Sequence, residues 1–429
     1  MSPYSSDEAT HSSSSFKSDA PPVAAVQALA STILWTGVKA NRIHVENLNA
    51  TYNDAYTCHT FSLSLHNDDE NHGNGDAQKY VLRVPVGMRL ISIVSILSFL
   101  QGHTHIPIAE VVHFDPSENN AVGSPYVIQK HLRGVKLSDV LFDMNPEQTS
   151  RLARELGDIT RQLLAVKSSH AGYVEQKPGH ANLGGDEVPQ DFIFPFGRGF
   201  YSENNGPEAP YEEGPVAQSA HQLLKGLFDR QRDHAITRFG IIDPLSEHTL
   251  DDHRNMSWDL LEGNWLDNID YCLAHLDLWP YRIWVNLEAE PGQPIITGIT
   301  GWNASIVAPS FLCCAPPFWL WTEPSDFENS DADTDEDERL ASRVPTTEEN
   351  RELKALYGEA TGPEYLRFAY GKPYQLARRL FMFAIKGMRA NEDFYRSDAM
   401  LHAWDELPRQ ERINHQAIPY WGNIGLPQR

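Results

Sequence analysis

The chain has 429 residues, four cysteines and a formal net charge of −23, with a pI near 5.1. Such an excess of acid argues against nucleic acid or an anionic membrane surface as partner. Four cysteines (Cys58, Cys272, Cys313 and Cys314) in a chain of this length do not make a disulfide framework and read as thiols. The 18 histidines form no recognisable metal pattern, and the HExxH, GxSxG and GxGxxG motifs are absent.

In chain order, residues 1–23 form a tail rich in Ser, Pro and acid, without the apolar core of a signal peptide, and are expected to be disordered. Residues 24–130 read as a small strand-rich lobe. Within it, His66 to Ala77, rich in Asn, Asp and Gly, reads as the turn of a hairpin, and Leu90 to Leu100 as an apolar helix packed on that lobe. That helix is too short to span a bilayer, which predicts a soluble, cytoplasmic protein. Lys130 to Lys136 reads as a hinge. A larger lobe, 131–405, opens with a well-marked helix: Asn145 is its N-cap, Pro146 its first residue, and Leu152, Leu156, Ile159 and Leu163 share one face. Residues 173 to 215 read as an irregular insert, and further helices are expected around 217–239, 255–272, 347–358 and 373–403. Nine acids and no base lie between Glu323 and Glu338, the mark of a solvated, mobile loop at 323–338. Residues 406–429 form a tail. Two lobes, one of strands and one mainly of helices, predict an α+β fold.

Two segments carry the chemistry. His275-Leu276-Asp277-Leu278-Trp279-Pro280-Tyr281-Arg282 has the His and the Asp of an H-x-D-x-x-x-x-N catalytic loop, but Arg282 stands in the Asn position. In that loop the Asp takes the proton of the attacking hydroxyl and the Asn holds magnesium. Downstream, Ile295-Ile296-Thr297-Gly298-Ile299-Thr300-Gly301-Trp302-Asn303 reads as a strand running into a turn.

With Tyr80-Val81-Leu82-Arg83-Val84-Pro85, Ile106-Pro107-Ile108-Ala109-Glu110-Val111, Gly123-Ser124-Pro125-Tyr126-Val127-Ile128, Pro316-Pro317-Phe318-Trp319-Leu320-Trp321 and Gly362-Pro363-Glu364-Tyr365-Leu366, these segments occur in the order found in one family. From about residue 45 to about 405 the chain resembles the fungal branch of the aminoglycoside phosphotransferases, the choline-kinase-like enzymes. The resemblance implies a protein-kinase-like two-lobed fold, with a small antiparallel-sheet N-lobe at 24–130 and a larger, mainly helical C-lobe at 131–405. It also implies an ATP- and Mg2+-dependent transfer of phosphate to a hydroxyl or amine of a small molecule. Laid over the family pattern, Arg83 takes the place of the phosphate-pairing Lys, and Ile93 that of the helix Glu. Gly301 takes the place of the metal-binding Asp, and Asn303 that of a second acid. The segment Val45 to Asp54, where a glycine-rich phosphate loop belongs, has no glycine.

The retained candidates are therefore His275 and Asp277 as catalytic residues and Arg83 and Arg282 as anion-binding residues, with no metal ligand set. Each also has a structural reading: His275 orients the loop backbone, Asp277 pairs with Arg282 so that each shields the other's charge, and Arg83 is an ordinary ion-pair residue. Losing one preorganised electrostatic contact typically costs about 100–1000-fold in rate, so the loss of two metal ligands favours an inactive site. Three functions stay open on the sequence. One is a pseudokinase that binds a small-molecule or anionic ligand or a protein partner. The second is an active phosphotransferase using ATP and Mg2+, with acids such as Glu288 or Glu290 standing in for the lost ligands. The third is a repurposed biosynthetic protein of secondary metabolism.

Overall fold

The computed structural model describes residues 20–48, 58–65, 79–86, 90–174, 193–194, 219–323, 340–388 and 391–414. Residues 1–19 of the expected N-terminal tail lie outside the described residues, as do 49–54 of the glycine-free segment and the whole hairpin turn. So do most of the 173–215 insert, the acidic run from 324 onward, and the chain after 414.

The described chain divides into two compact units, one holding the residues up to Leu90 together with Val111–His131, the other holding Ile91–Glu110 and everything from Leu132 onward. The boundary at His131 and Leu132 falls within the expected hinge. The apolar helix α2 (Leu90–His103) belongs, from Ile91 on, to the second unit.

The first unit is built on α1 (Val23–Ile33) and a five-stranded antiparallel sheet of β1 (Ile43–Asn47), β2 (Cys58–Leu65), β3 (Tyr80–Pro85), β4 (Val111–Asp115) and β5 (Tyr126–Lys130), in the order β1-β2-β3-β5-β4. β2 and β3 pair antiparallel from Cys58↔Pro85 to Leu63↔Tyr80, as a hairpin requires. Their alternation is that of a half-buried sheet. Tyr80, Leu82 and Val84 point inward, and Val81, Arg83 and Pro85 lie at intermediate exposure. The inward residues pack with Phe61, Leu63, Tyr126 and Ile128 against Val26, Leu29 and Ala30 of α1.

The second unit is mainly helical. α3 (Pro146–Ala165) begins as expected: Asn145 Oδ1 accepts from Gln148 N at 3.0 Å, and Gln148 Oε1 accepts from Asn145 N at 2.9 Å. This reciprocal cap satisfies two backbone donors that helix geometry leaves orphaned. Asn145→Ala should lower unfolding stability by about 1 kcal/mol, measured by denaturant titration; an unchanged midpoint would remove the cap from the account. The expected face of α3, Leu152, Leu156, Ile159 and Leu163, is buried, and Thr160 shares a buried 2.8 Å hydrogen bond with Tyr357.

α4 (Ala220–Phe239) and α7 (Glu348–Thr361) lie where helices are expected. The helix expected at 255–272 differs. α5 runs from Pro244, capped by Asp243, to Glu262, and Tyr271–His275 is instead the buried strand β10. Gly263 ends the helix, and Asn264 and Asn268 adopt positive φ on the way into the strand. The long helix expected at 373–403 is two, α9 (Lys372–Lys386) and α10 (Asn391–Asp405), after the short α8 (Pro363–Ala369). β10 pairs on one edge with β7 (Lys167–Ser168) and on the other with β13 (Ser305–Pro309), which leads into the short helix α6 (Ser310–Cys313). A second three-stranded sheet joins β6 (Val135–Lys136), β11 (Ile283–Val285) and β12 (Ile296–Ile299). The two-residue strands β8 (Tyr173–Val174) and β9 (Ile193–Phe194) pair with each other. The Glu155 carboxylate accepts from Ile295 N and Ile296 N, tying the start of β12 to α3. Among the described residues no helix is long and apolar enough to cross a membrane.

Candidate functional site

The site lies where the two small sheets of the second unit meet. β10 delivers His275 and opens the loop that carries Asp277, and the turn Pro280–Arg282 leads that loop into β11. β12 ends at Ile299, and Thr300 and Gly301 cross beside the loop before Trp302–Ala304 turns into β13. The two segments singled out in the sequence are stitched together by backbone. Thr300 N donates to Arg282 O at 2.9 Å, and Thr300 Oγ1 donates to the same oxygen at 3.2 Å.

His275 is buried, and its hydrogen bonds fix its tautomer. Asp277 N donates to Nδ1 at 3.2 Å, so Nδ1 is the acceptor and Nε2 carries the proton that it donates to Thr300 O at 2.9 Å. The ring meets Trp302 edge-on at 4.8 Å, and Trp302 Nε1 donates to Ile299 O at 2.8 Å. Burial pushes the His275 pKa down to about 4, which keeps the ring neutral near pH 7. A neutral, doubly bonded imidazole holds the loop in shape and ties it to the second segment.

Asp277 is engaged on both carboxylate oxygens. Tyr281 OH donates to Oδ1 at 2.5 Å. Arg282 Nε donates to Oδ2 at 2.7 Å, and Arg282 Nη2 lies 2.6 Å from the same oxygen. The ion pair is largely shielded from solvent, with the Asp277 side chain 24% exposed and that of Arg282 14%. The guanidinium also stands 5.0 Å from the Tyr281 ring centre, in cation–π range. A charge-assisted pair of this geometry contributes roughly 1–3 kcal/mol. It neutralises the carboxylate and lowers its capacity to accept a proton from a substrate hydroxyl, which would compete with a cation and a phenol already on its oxygens.

Gly301 explains how the arginine fits. It adopts φ +86°, and a Cβ built on it would lie 2.8 Å from both Cδ and Nε of Arg282 and 3.2 Å from Cζ. The arginine side chain lies in the space that any side chain at position 301 would enter. Asn303 sits exposed in the turn after Trp302. Ile93 lies half-buried on α2, a helix without any acid, and Arg83 sits on β3 opposite Val127 and Thr60. The structure thus brings together His275, Asp277, Arg282 and Gly301, while Arg83 belongs to the other unit.

A divalent cation does not fit these residues. Hard cations take carboxylate, carbonyl and water oxygens; here a guanidinium already lies against Asp277 Oδ2, and neither Arg282 nor Gly301 brings a side-chain oxygen. Among the described residues no group of three or more His, Cys, Asp or Glu could hold a metal ion, Glu288 and Glu290 included. Sequence reasoning passed over Tyr281, whose only signal was a phenol four residues beyond Asp277, and the contact between Gly301 and Arg282, which has no local signature.

An antiparallel five-stranded sheet with a helix after its third strand is followed by a mainly helical unit. That unit carries an H-x-D loop and a second turn beside it, which is the order of a protein-kinase-like two-lobed α+β fold. Similar solved structures are those of aminoglycoside phosphotransferases. One is APH(2'')-Ib with ADP, 10% identical, covering 91% of this chain and 99% of that one, at a TM-score of 0.47. Another is the GDP and kanamycin complex of APH(2'')-IIIa, 14% identical, covering 89% and 98%, at 0.41. A third is the streptomycin–ATP complex of APH(2'')-IIa, 10% identical, covering 80% and 92%, at 0.41. No protein-family model and no curated protein matches the chain.

Proposed function

We propose that this chain is an aminoglycoside-phosphotransferase-like protein that has given up phosphoryl transfer and acts by binding a ligand or a partner. The observation that carries the reading is the closed carboxylate of Asp277, held on one oxygen by Tyr281 and on the other by Arg282. Phosphoryl transfer depends on positioning and on neutralising charge with metal. In this loop the residue that would accept the proton instead neutralises an internal cation, and the position that would hold metal bears a positive charge. Losing even one such preorganised contact typically costs about 100–1000-fold in rate.

The test is transfer of labelled γ-phosphate from ATP, with magnesium, to a panel of small hydroxyl and amine acceptors. We expect no transfer above a no-enzyme control, and no difference between the wild-type chain and Asp277→Ala. Transfer that disappears in Asp277→Ala would refute the proposal.

A further inference from the structure

We infer that the Arg282 guanidinium is a built-in replacement for a divalent cation, that Gly301 is the residue that admits it, and that the two positions form one linked unit. The inference deepens the proposed function and rests on its reading of the same loop.

Three features support the linkage. The guanidinium is aimed: Nε and Nη2 both converge on Asp277 Oδ2, placing a positive charge beside positions 282 and 301, where the family pattern has its metal ligands. The space is shared: a Cβ at position 301 would lie 2.8 Å from Cδ and Nε of Arg282, so a carboxylate side chain there requires the arginine side chain to move from its place against Asp277. The arginine is also anchored, since Arg282 N donates to Trp279 O at 2.8 Å and Arg282 O accepts from Thr300 N at 2.9 Å. Its backbone cannot shift without breaking the link between the two segments.

The consequence is that neither departure works alone. An arginine at 282 beside a carboxylate side chain at 301 is overcrowded. A glycine at 301 without the arginine leaves Asp277 with no cation. Rebuilding a site of hard oxygen donors therefore requires both changes together. Arg282→Asn supplies an amide oxygen, and Gly301→Asp supplies a carboxylate on a left-handed backbone that Asp tolerates better than most residues.

The full-length chain, Arg282→Asn, Gly301→Asp and the double variant would each be titrated with Mn2+ alone, following the free ion by electron paramagnetic resonance, and melted without metal. The expected result is that the double variant binds Mn2+ at least tenfold more tightly than the wild type or either single variant. Gly301→Asp alone should lower Tm, and adding Arg282→Asn should recover part of that loss. Equal Mn2+ binding by Gly301→Asp and the double variant, binding by the wild type, or no binding by a folded double variant would overturn the inference. Should the double variant not fold, Gly301→Ala in the wild-type and Arg282→Ala backgrounds reads the same linkage: a smaller Tm loss in the second supports it, and equal losses overturn it. Phosphate transfer by the wild-type chain would end the proposed function without touching this linkage. A failed linkage would leave that function resting on the closed carboxylate.

Discussion

Acidification from pH 7 to pH 4 should strip this protein of roughly 6 kcal/mol through two histidines alone. His275 and His253 are both buried, and burial lowers each pKa to about 4 against about 6.5 in an unfolded chain. His253 is packed between the rings of Phe228 and Phe383, with Nε2 at 2.6 Å from Ser397 Oγ. Because the folded state holds both rings neutral, the unfolded state binds more protons below pH 6.5. Their stabilisation is therefore complete above pH 6.5 and is lost as the pH falls from there to 4. Each shift corresponds to roughly 3 kcal/mol. Urea unfolding between pH 7 and pH 5 should show stability falling with pH, and His253→Gln should flatten that slope. A slope identical in the variant would remove His253 from the account.

Gly134→Ala should be among the most damaging single-methyl additions in the chain. Gly134 adopts φ +90°, and a Cβ there would stand 2.0 Å from Val285 O and 2.7 Å from Val285 C. Both are backbone atoms of β11, and Val285 is paired with Val135, the next residue along. No rotamer relieves such a contact, so the β6–β11 pairing next to the His275–Arg282 loop must open. Left-handed backbone costs a non-glycine residue about 1–2 kcal/mol, and overpacking adds about 1–3 kcal/mol. Gly37→Ala provides the comparison, because Gly37 has φ +87° and nothing within 4 Å of its Cβ position, so it carries the backbone cost alone. Thermal melts should show Gly134→Ala losing clearly more than Gly37→Ala; equal losses would mean that the strand accommodates the methyl.

Much of this architecture is legible in the sequence where the signal is local. Asn145-Pro146 announces a helix start because capping and a fixed proline φ act within one turn. Leu152, Leu156, Ile159 and Leu163 announce its buried face by spacing. The β-branched run before Gly301 reads correctly as a strand. Tyr271–His275 does not, since Cys, Leu and Ala have no preference for the extended state, and only the sheet partners Ser168 and Ser305–Pro309 decide it. At the site, His275, Asp277 and Arg282 are readable because they share one loop. The pairing of Asp277 with Arg282 was one of two readings that the sequence left open, and the geometry supports it. The dependence of Arg282 on Gly301 spans two segments joined only by the fold, so no window of sequence contains it.

The central claim is that the Arg282 guanidinium stands in the position of a metal. Calorimetric titration of the purified chain with ATP, in magnesium and in its absence, tests it most directly. The account predicts that no binding depends on magnesium: either ATP does not bind, or it binds in the absence of magnesium as well. Binding of ATP that appears only with magnesium would contradict it, and would mean that a metal site has been rebuilt from residues other than these.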